Sequence, residues 1–240
     1  MGDCIKVMEG IADKSIDMIL TDLPYGTTAC DWDNIIPYDE LWTGFKRIIK
    51  DNSAIVLSAN QPFTSWLVTT NVGMFKHEWV WDKHIPRGFQ VAKYRPMRKH
   101  EDILVFARGK VNYYPIKTLR DKPVTVKNYG NSKSSHIGKY NDKTKSFTYT
   151  HRNPDTIITG KWMANRGKLH PTQKPTSLYE YLIKTYTLEG QLVLDVCAGS
   201  GTTGEACKNI GRNYILIEQE KEYCDIISSR IGIEISTYNA

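Results

Sequence analysis

Asp22-Leu23-Pro24-Tyr25 combines a carboxylate, a proline and an aromatic ring within four residues. It follows a short apolar run, Ile16–Leu20, that reads as a buried strand stopped by Pro24 and Gly26. That places the four residues at the C-terminal end of a strand, where open α/β sheets bind ligands. Held beside a stiff proline, such groups suit chemistry on the exocyclic amine of a nucleobase, whose nitrogen lone pair is delocalised into the ring. Asp22 and the backbone carbonyl of Leu23 would each accept an amino hydrogen, drawing the nitrogen toward tetrahedral geometry and freeing the pair. Tyr25 would stack on a base swung out of a duplex. A carboxylate is too weak a base to deprotonate a neutral amine in advance. Asp22 would therefore polarise and orient first, then take the proton as the nitrogen turns cationic. A proline turn that merely closes a strand fits the same four residues.

A second chemically pointed segment lies near the other end. Leu192–Cys197 reads as a strand, and AGSGTTG follows it with glycines at 199, 201 and 204 before a helical pattern to about Ile210. Glu218 closes the next strand 17 residues after Gly201. Glycines let backbone approach a ligand, and an acid at the end of the second strand accepts hydrogen bonds from ribose hydroxyls. The spacing fits any adenosine-containing cofactor and does not separate a dinucleotide from S-adenosyl-L-methionine. Only one strand follows before Ala240, so the rest of the sheet must come from upstream and the order of motifs is permuted. A tight strand–helix turn without a ligand is the plainer alternative.

Elements able to position these loops recur along the chain. Tyr38–Ile49 has helical spacing, with Leu41, Trp42, Phe45, Ile48 and Ile49 on one face. Ala54–Ser58 reads as a buried strand and Pro62–Thr70 as a helix with proline in its first turn. Trp79–Asp82 and Ile103–Ala107 are further strands, and Ser177–Tyr186 and Lys221–Ile231 further helices, with a last strand at Tyr214–Glu218. Strands alternating with helices predict an α/β fold with a mainly parallel sheet. From Gly109 to about Gly167 the pattern lapses, and this stretch is expected to be a loop-rich insertion.

Charge separates the same regions. The chain of 240 residues has 32 Lys and Arg against 26 Asp and Glu, a net charge of +6. Residues 108–168 contain 14 Lys and Arg against three acids, so the remainder holds 18 basic and 23 acidic residues. Aromatics such as Tyr113, Tyr114, Tyr129, Tyr140, Phe147, Tyr149 and Trp162 interleave the basic segment. That mixture favours a nucleic-acid partner, with a solvated lysine-rich face as the alternative. Lys83–His100 is a second basic stretch, with six Lys and Arg, no acid and three glycine or proline breakers.

Other classes are disfavoured. Five scattered cysteines without a CxxC pair argue against structural zinc or a disulfide framework and fit a reducing cytoplasm. No apolar run approaches the roughly 18 residues of a membrane span, and MGDCIKVMEGIADKS is not expected to be a signal peptide. His77, His84, His100, His136, His151 and His170 lack metal-binding spacing, so no metal site is expected.

Taken in order, these segments resemble the amino-group DNA methyltransferases, the adenine-N6 and cytosine-N4 enzymes, in their β-type motif order. The resemblance covers most of the chain outside roughly 110–165. It implies a Rossmann-like S-adenosylmethionine-dependent methyltransferase fold, circularly permuted, with a loop-rich basic target-recognition insertion. The corresponding division is a catalytic half (1–108), the insertion (109–167) and a cofactor-binding half (168–240).

The resemblance implies catalytic roles for Asp22, Leu23, Pro24 and Tyr25. Gly2-Asp3-Cys4 resembles the family's element near the cofactor adenine, which implies contacts from Asp3 and Cys4. His170–Pro175 resembles the segment at the cofactor's methionine end, implying Thr172, Gln173 and Lys174. Residues 195–203 resemble the cofactor loop, implying Asp195, Ala198, Gly199, Ser200, Gly201, Thr202 and Thr203, with Glu218 as the ribose acid. Lys83, Arg87, Lys93, Arg95 and Arg98 are the implied contacts to DNA phosphates, with steep salt dependence.

Two positions depart from the family pattern. Leu23 replaces a usual proline, which implies a less rigid loop, and Cys197 stands where Phe is usual, which implies either weaker cofactor affinity or a contact supplied by another ring such as Phe63. Asp22 associates the chain with adenine rather than cytosine enzymes. The implied partners are double-stranded DNA and S-adenosylmethionine; a homodimer and a cognate restriction enzyme are compatible with the resemblance, and no membrane is implied. A catalytically silent nucleic-acid-binding module and a nicotinamide-dependent oxidoreductase are the competing readings. The terminal place of the glycine motif argues against the second.

Overall fold

The computed structural model describes residues 1–26, 34–127, 146–159 and 173–237. Cys30, Tyr129, His136, Tyr140, Trp162, His170 and Thr172 therefore lie outside the described residues.

A seven-stranded sheet carries the larger of two compact units, residues 1–114 with 156–237. Its strands are β1 (Ile16–Thr21), β2 (Ile49–Ala59), β3 (Phe75–Arg87), β4 (Arg98–Phe106), β7 (Ile157–Ile158), β8 (Leu192–Asp195) and β9 (Asn213–Leu216). They lie in the order β7-β3-β4-β2-β1-β8-β9. Every neighbouring pair is parallel except the two that β4 makes with β2 and β3. The expected mainly parallel α/β sheet is therefore present. All six residues of β1 are buried, as a central strand covered on both faces requires.

Helices cover the two faces. On one side stand α1 (Cys4–Glu9), α2 (Tyr38–Ile48) and α3 (Phe63–Thr70). Met8, Leu41, Trp42, Phe45, Phe63 and Leu67 pack there against Ile19, Ile55, Leu57, Leu104 and Phe106. On the other stand α4 (Thr176–Tyr186) and α5 (Thr202–Asn209), with Leu178, Tyr179, Leu182, Ile183 and Ala206 against Met18, Leu20, Val56, Trp79, Trp81 and Ile103. A last helix, α6 (Lys221–Ile231), buries Ile227 and Ile231 beside Ala198. The alternation of Ile19 and Leu20 between the two cores is the period of two of a strand. α2 owes its orientation to Leu41, Trp42, Phe45 and Ile48, and its acids Asp39 and Glu40 lie in the first turn, Lys46 and Arg47 in the last, as the helix dipole favours. Arg47 also donates to the carbonyl oxygens of Met8 and Ile11, at 2.6 and 2.7 Å, and so holds the end of α1.

The β1–α2–β2 and β8–α5–β9 crossovers leave adjacent parallel strands in opposite directions along the sheet. The crevice beyond the C-terminal ends of β1 and β8 is thus a topological switch point, and both pointed loops lie there. β3 and β4 form a long hairpin whose register shifts between Asp82↔His100 and Arg87↔Arg98. The extra residues bulge, with His84 at φ 59° and its N–H donating to Asp82 at 2.8 Å. Such an insertion bends a hairpin and re-aims its side chains.

The second unit, residues 115–155, is an antiparallel ribbon of β5 (Thr118–Lys127) and β6 (Ser146–Arg152). Val124 pairs with Tyr149 and Val126 with Phe147 on one face, while the Thr125 and Thr148 hydroxyls meet at 2.9 Å on the other. These strands, and β7, fall within the stretch whose sequence predicts loop. All seven residues of β6 are exposed, so no buried face imposed the alternation that betrays a strand.

Candidate active site

A cleft of about 1500 Å³ occupies the switch point. Asp22 leaves β1 into it, and its carboxylate is held from two sides. The Tyr25 hydroxyl donates to Oδ1 at 2.6 Å, and the Lys174 ammonium, just before α4, donates to Oδ2. The Leu23 side chain is 4% exposed and packs in the α1–α3 core, so it anchors the loop at the cleft that it also lines. The Tyr25 ring stacks on Phe63, centroids 4.8 Å apart and planes at 29°. Burial, then the charge of Asp22, raise the tyrosine's pKa well above its ordinary value, keeping the hydroxyl a donor.

Lys174 is shared. Its Nζ also lies 3.3 Å from Glu101 Oε2, while Glu101 Oε1 accepts from Lys83 Nζ at 2.7 Å. Asp22, Lys174, Glu101 and Lys83 thus form a chain of alternating charges in the cleft, with side chains 20, 9, 13 and 18% exposed. Burial alone would discharge Lys174, but Asp22 and Glu101 outweigh it and raise its pKa. Burial likewise opposes the charge of Glu101, and Lys174 and Lys83 overcome it and lower its pKa. A chain that is neutral overall keeps each member ionised where a lone charge would not survive.

Glu101 escapes sequence reading because it sits just beyond the acid-free run, with no motif around it. Its signal is parity: Glu101, Ile103 and Val105 share the face of β4 that meets α4. Trp81 stands opposite Glu101 in the β3–β4 register, and among the described residues its buried Nε1 has no hydrogen-bond partner.

The far end of the cleft is built from α1 and the glycine loop. Asp3 caps α1, accepting the Lys6 N–H at 3.1 Å, and Cys4 is buried behind it; both line the cleft. Glu218 accepts three backbone N–H groups, from Gly199 at 2.8 Å, Gln219 at 2.9 Å and Glu220 at 3.0 Å. Burial nonetheless raises its pKa. Ala198, Gly199, Ser200 and Thr202 border the cleft, as do Gln173 and Lys174.

Gly201 and Thr203 do not border it. Gly201 has φ 77° and a Cβ there would meet Ile227 Cγ1 at 3.0 Å; at Gly204 a Cβ would meet Leu216 and Ile231 at 2.7 and 2.8 Å. These two glycines serve the turn and the packing of α5 against β9 and α6, and backbone approach to a ligand falls to Gly199, at φ 51°. Thr203 is buried and donates to Asp195 Oδ2, and Asp195 Oδ1 accepts the Cys197 N–H at 3.1 Å. Burial pushes the Asp195 carboxyl up to about 6 against these hydrogen bonds, and the residue's contacts are those of a buried brace for the loop.

The Cys4 and Cys197 thiols are neighbours, and their mutual interaction raises the pKa of Cys197 and lowers that of Cys4. Phe63 does not compensate for the missing ring at 197. It is 1% exposed, does not form part of the cleft wall, and supports Tyr25 instead.

Of the residues expected to meet DNA, Arg87, Lys93 and Arg95 are exposed on the β3–β4 hairpin. Arg98 is half-buried and donates to the Gln61 carbonyl at 3.0 Å. Lys83 is inside the cleft, neutralised by Glu101, rather than on an open face. Among the described residues no group of three or more His, Cys, Asp or Glu could hold a metal ion, and no helix is long and apolar enough to cross a membrane.

Comparison with known proteins identifies the family and the fold. An N6/N4 family model described as DNA methylase matches residues 16–229. The Type II methyltransferase M.HpaI of Haemophilus parainfluenzae is 26% identical over 251 residues, covering 99% of this chain and 75% of the relative. The solved M1.HpyAVI–SAM complex is similar with a TM-score of 0.62 and 23% identity, over 95% of this chain and 96% of that one. The cytosine-N4-specific PvuII DNA methyltransferase is similar with a TM-score of 0.67 and 16% identity, over 96% and 84%.

Proposed function

Because the chain belongs to the N6/N4 DNA methylase family, we propose that it transfers a methyl group from S-adenosylmethionine to the N6 amino group of adenine in double-stranded DNA. The observation that carries this reading is the placement of Asp22, Tyr25 and the Gly199–Glu218 cradle on one cleft at the sheet's switch point.

The residues present fit the cofactor. Glu218 has about four acceptor sites and uses three on backbone N–H groups, which leaves one for a ribose hydroxyl. Gly199 brings side-chain-free backbone to the same cleft, which Asp3, Cys4 and Gln173 also line. When bound, S-adenosylmethionine supplies an electrophilic methyl group on a sulfonium.

The chain's own residues prepare the amine. Tyr25 and Lys174 fix the Asp22 carboxylate, so its remaining lone pairs meet the amino hydrogens without reorganisation. The Leu23 carbonyl takes the second hydrogen, and Leu23's buried side chain supplies the stiffness that a second proline would give. Tyr25, backed by Phe63, offers a rigid ring to the extruded base. As the nitrogen becomes cationic, its proton passes to Asp22.

The test is to incubate the purified protein with S-adenosylmethionine and unmethylated duplex DNA, then analyse the nucleosides by mass spectrometry. N6-methyladenine is the expected product. N4-methylcytosine would keep the site chemistry and overturn the choice of base. No methylated base, with cofactor bound, would overturn the reading.

A further inference from the structure

The β3–β4 hairpin lines the cleft with Trp81, Lys83, Ile85 and Arg87, then continues outward to a tip that is exposed among the described residues. Every residue from 84 to 96 except Val91 is exposed. The tip carries Phe89 at 80% and Tyr94 at 77% exposure, the highest among the large apolar side chains described.

It is not a slack loop. Phe89–Val91 form a 3-10 turn entered through Gly88 at φ 91°, with backbone bonds Val91→Gly88, Ala92→Phe89 and Tyr94→Val91 of 3.0–3.1 Å. Below the tip, Lys99–Asp82 at 3.2 Å, Lys83–Glu101 at 2.7 Å and Arg98 on the Gln61 carbonyl brace the stem. The surroundings are cationic. Arg87, Lys93 and Arg95 flank the two rings, Lys93 Nζ lies 4.8 Å from the Tyr94 centroid, and residues 83–100 include no acid.

Rigid, exposed aromatics inside a positive collar suit a base stack lined by phosphates, and the collar disfavours an apolar protein groove. Drawing a base into the cleft opens a gap in the duplex, which apolar side chains fill in proteins that unstack DNA. Resting on the DNA reading above, we propose that this tip is a wedge: Phe89 and Tyr94 enter duplex DNA beside the cleft and occupy the stacking place of the base that leaves it.

The experiment first maps the methylated position by sequencing plasmid DNA treated with the enzyme. Methyl transfer is then measured on two duplexes of that sequence, one fully paired and one with an abasic site opposite the target base. Phe89→Ala, Tyr94→Ala and the double variant are compared with wild type, and cofactor binding verifies the fold of each.

A wedge matters where the target must be pulled from a partner. The expected result is a fall in kcat/KM of about tenfold to a hundredfold for the double variant on the paired duplex, with a change below about threefold on the abasic one. Equal losses on both duplexes would assign the rings to general DNA binding or to a protein-like contact, and no loss on either would leave them without a role. Either result overturns the wedge. Failure of the wild type to methylate any DNA would instead overturn the underlying function.

Discussion

At the scale of single residues, one carboxylate, Asp22, is held from two sides by Tyr25 and Lys174. The family resemblance implies a cofactor contact for Lys174, and in the folded chain it lines the cleft and pairs with Asp22 and Glu101. The lysine's pKa is raised, so the stabilisation it brings is complete at neutral pH and is lost only in alkaline solution, above the ordinary lysine value of about 10.4. Glu101→Gln removes one of its two anions and leaves its burial, so its pKa falls. The alkaline limb of the kcat/KM–pH profile should then move to lower pH, with KM for cofactor little changed; an unmoved limb would detach Glu101 from the reaction. The tetrapeptide at 22–25 and Glu218 were legible because their residue types suit a reaction at a known point of a sheet. Glu101, Trp81 and the Cys4–Cys197 pair were not, because each takes its meaning from a neighbour distant in sequence.

At the scale of elements, the sequence was most readable where burial is one-sided or complete. The expected α6 matches Lys221–Ile231, and the expected α2 ends within a residue of the observed one, because apolar side chains recur on one face. β3 and β4 extend well beyond the short apolar runs that marked them, since their outer ends are exposed and polar. Among the described side chains of β5 and β6 none is buried. The glycine loop shows how one pattern divides its work. Gly190 and Gly201 share φ 77°, but a Cβ meets nothing within 4 Å at Gly190 and meets Ile227 at 3.0 Å at Gly201. Gly190→Ala should therefore cost only left-handed strain, about 1–2 kcal/mol. Gly201→Ala should cost roughly 1 kcal/mol more for overpacking. Denaturant midpoints of the two variants check this, and equal midpoints would remove the packing role of Gly201.

For the whole molecule, charge and topology divide the labour. The sheet's switch point gathers loops from the two ends of the chain into one cleft, so a permuted motif order still yields a single site. The exposed cations on the hairpin are the proposed contacts to DNA, whereas Lys83 is paired with Glu101 inside the cleft. Lys93→Ala with Arg95→Ala should therefore flatten the slope of log K against log salt by about 0.9 for each phosphate that is no longer neutralised. Lys83→Ala should leave that slope unchanged while lowering kcat; the reverse pattern in a titration of DNA binding against salt would exchange these roles. The order of elements and both loops of the cleft were legible in the sequence because they follow from periodicity and breakers, while the charge chain across it needed the strands' register. The most direct measurement is single-turnover methylation of duplex DNA by Asp22→Asn beside equilibrium binding of S-adenosylmethionine. The predicted result is a loss of methyl transfer of at least about a thousandfold, with cofactor affinity within a few-fold of wild type. Near-normal transfer by the variant would contradict the role given to Asp22.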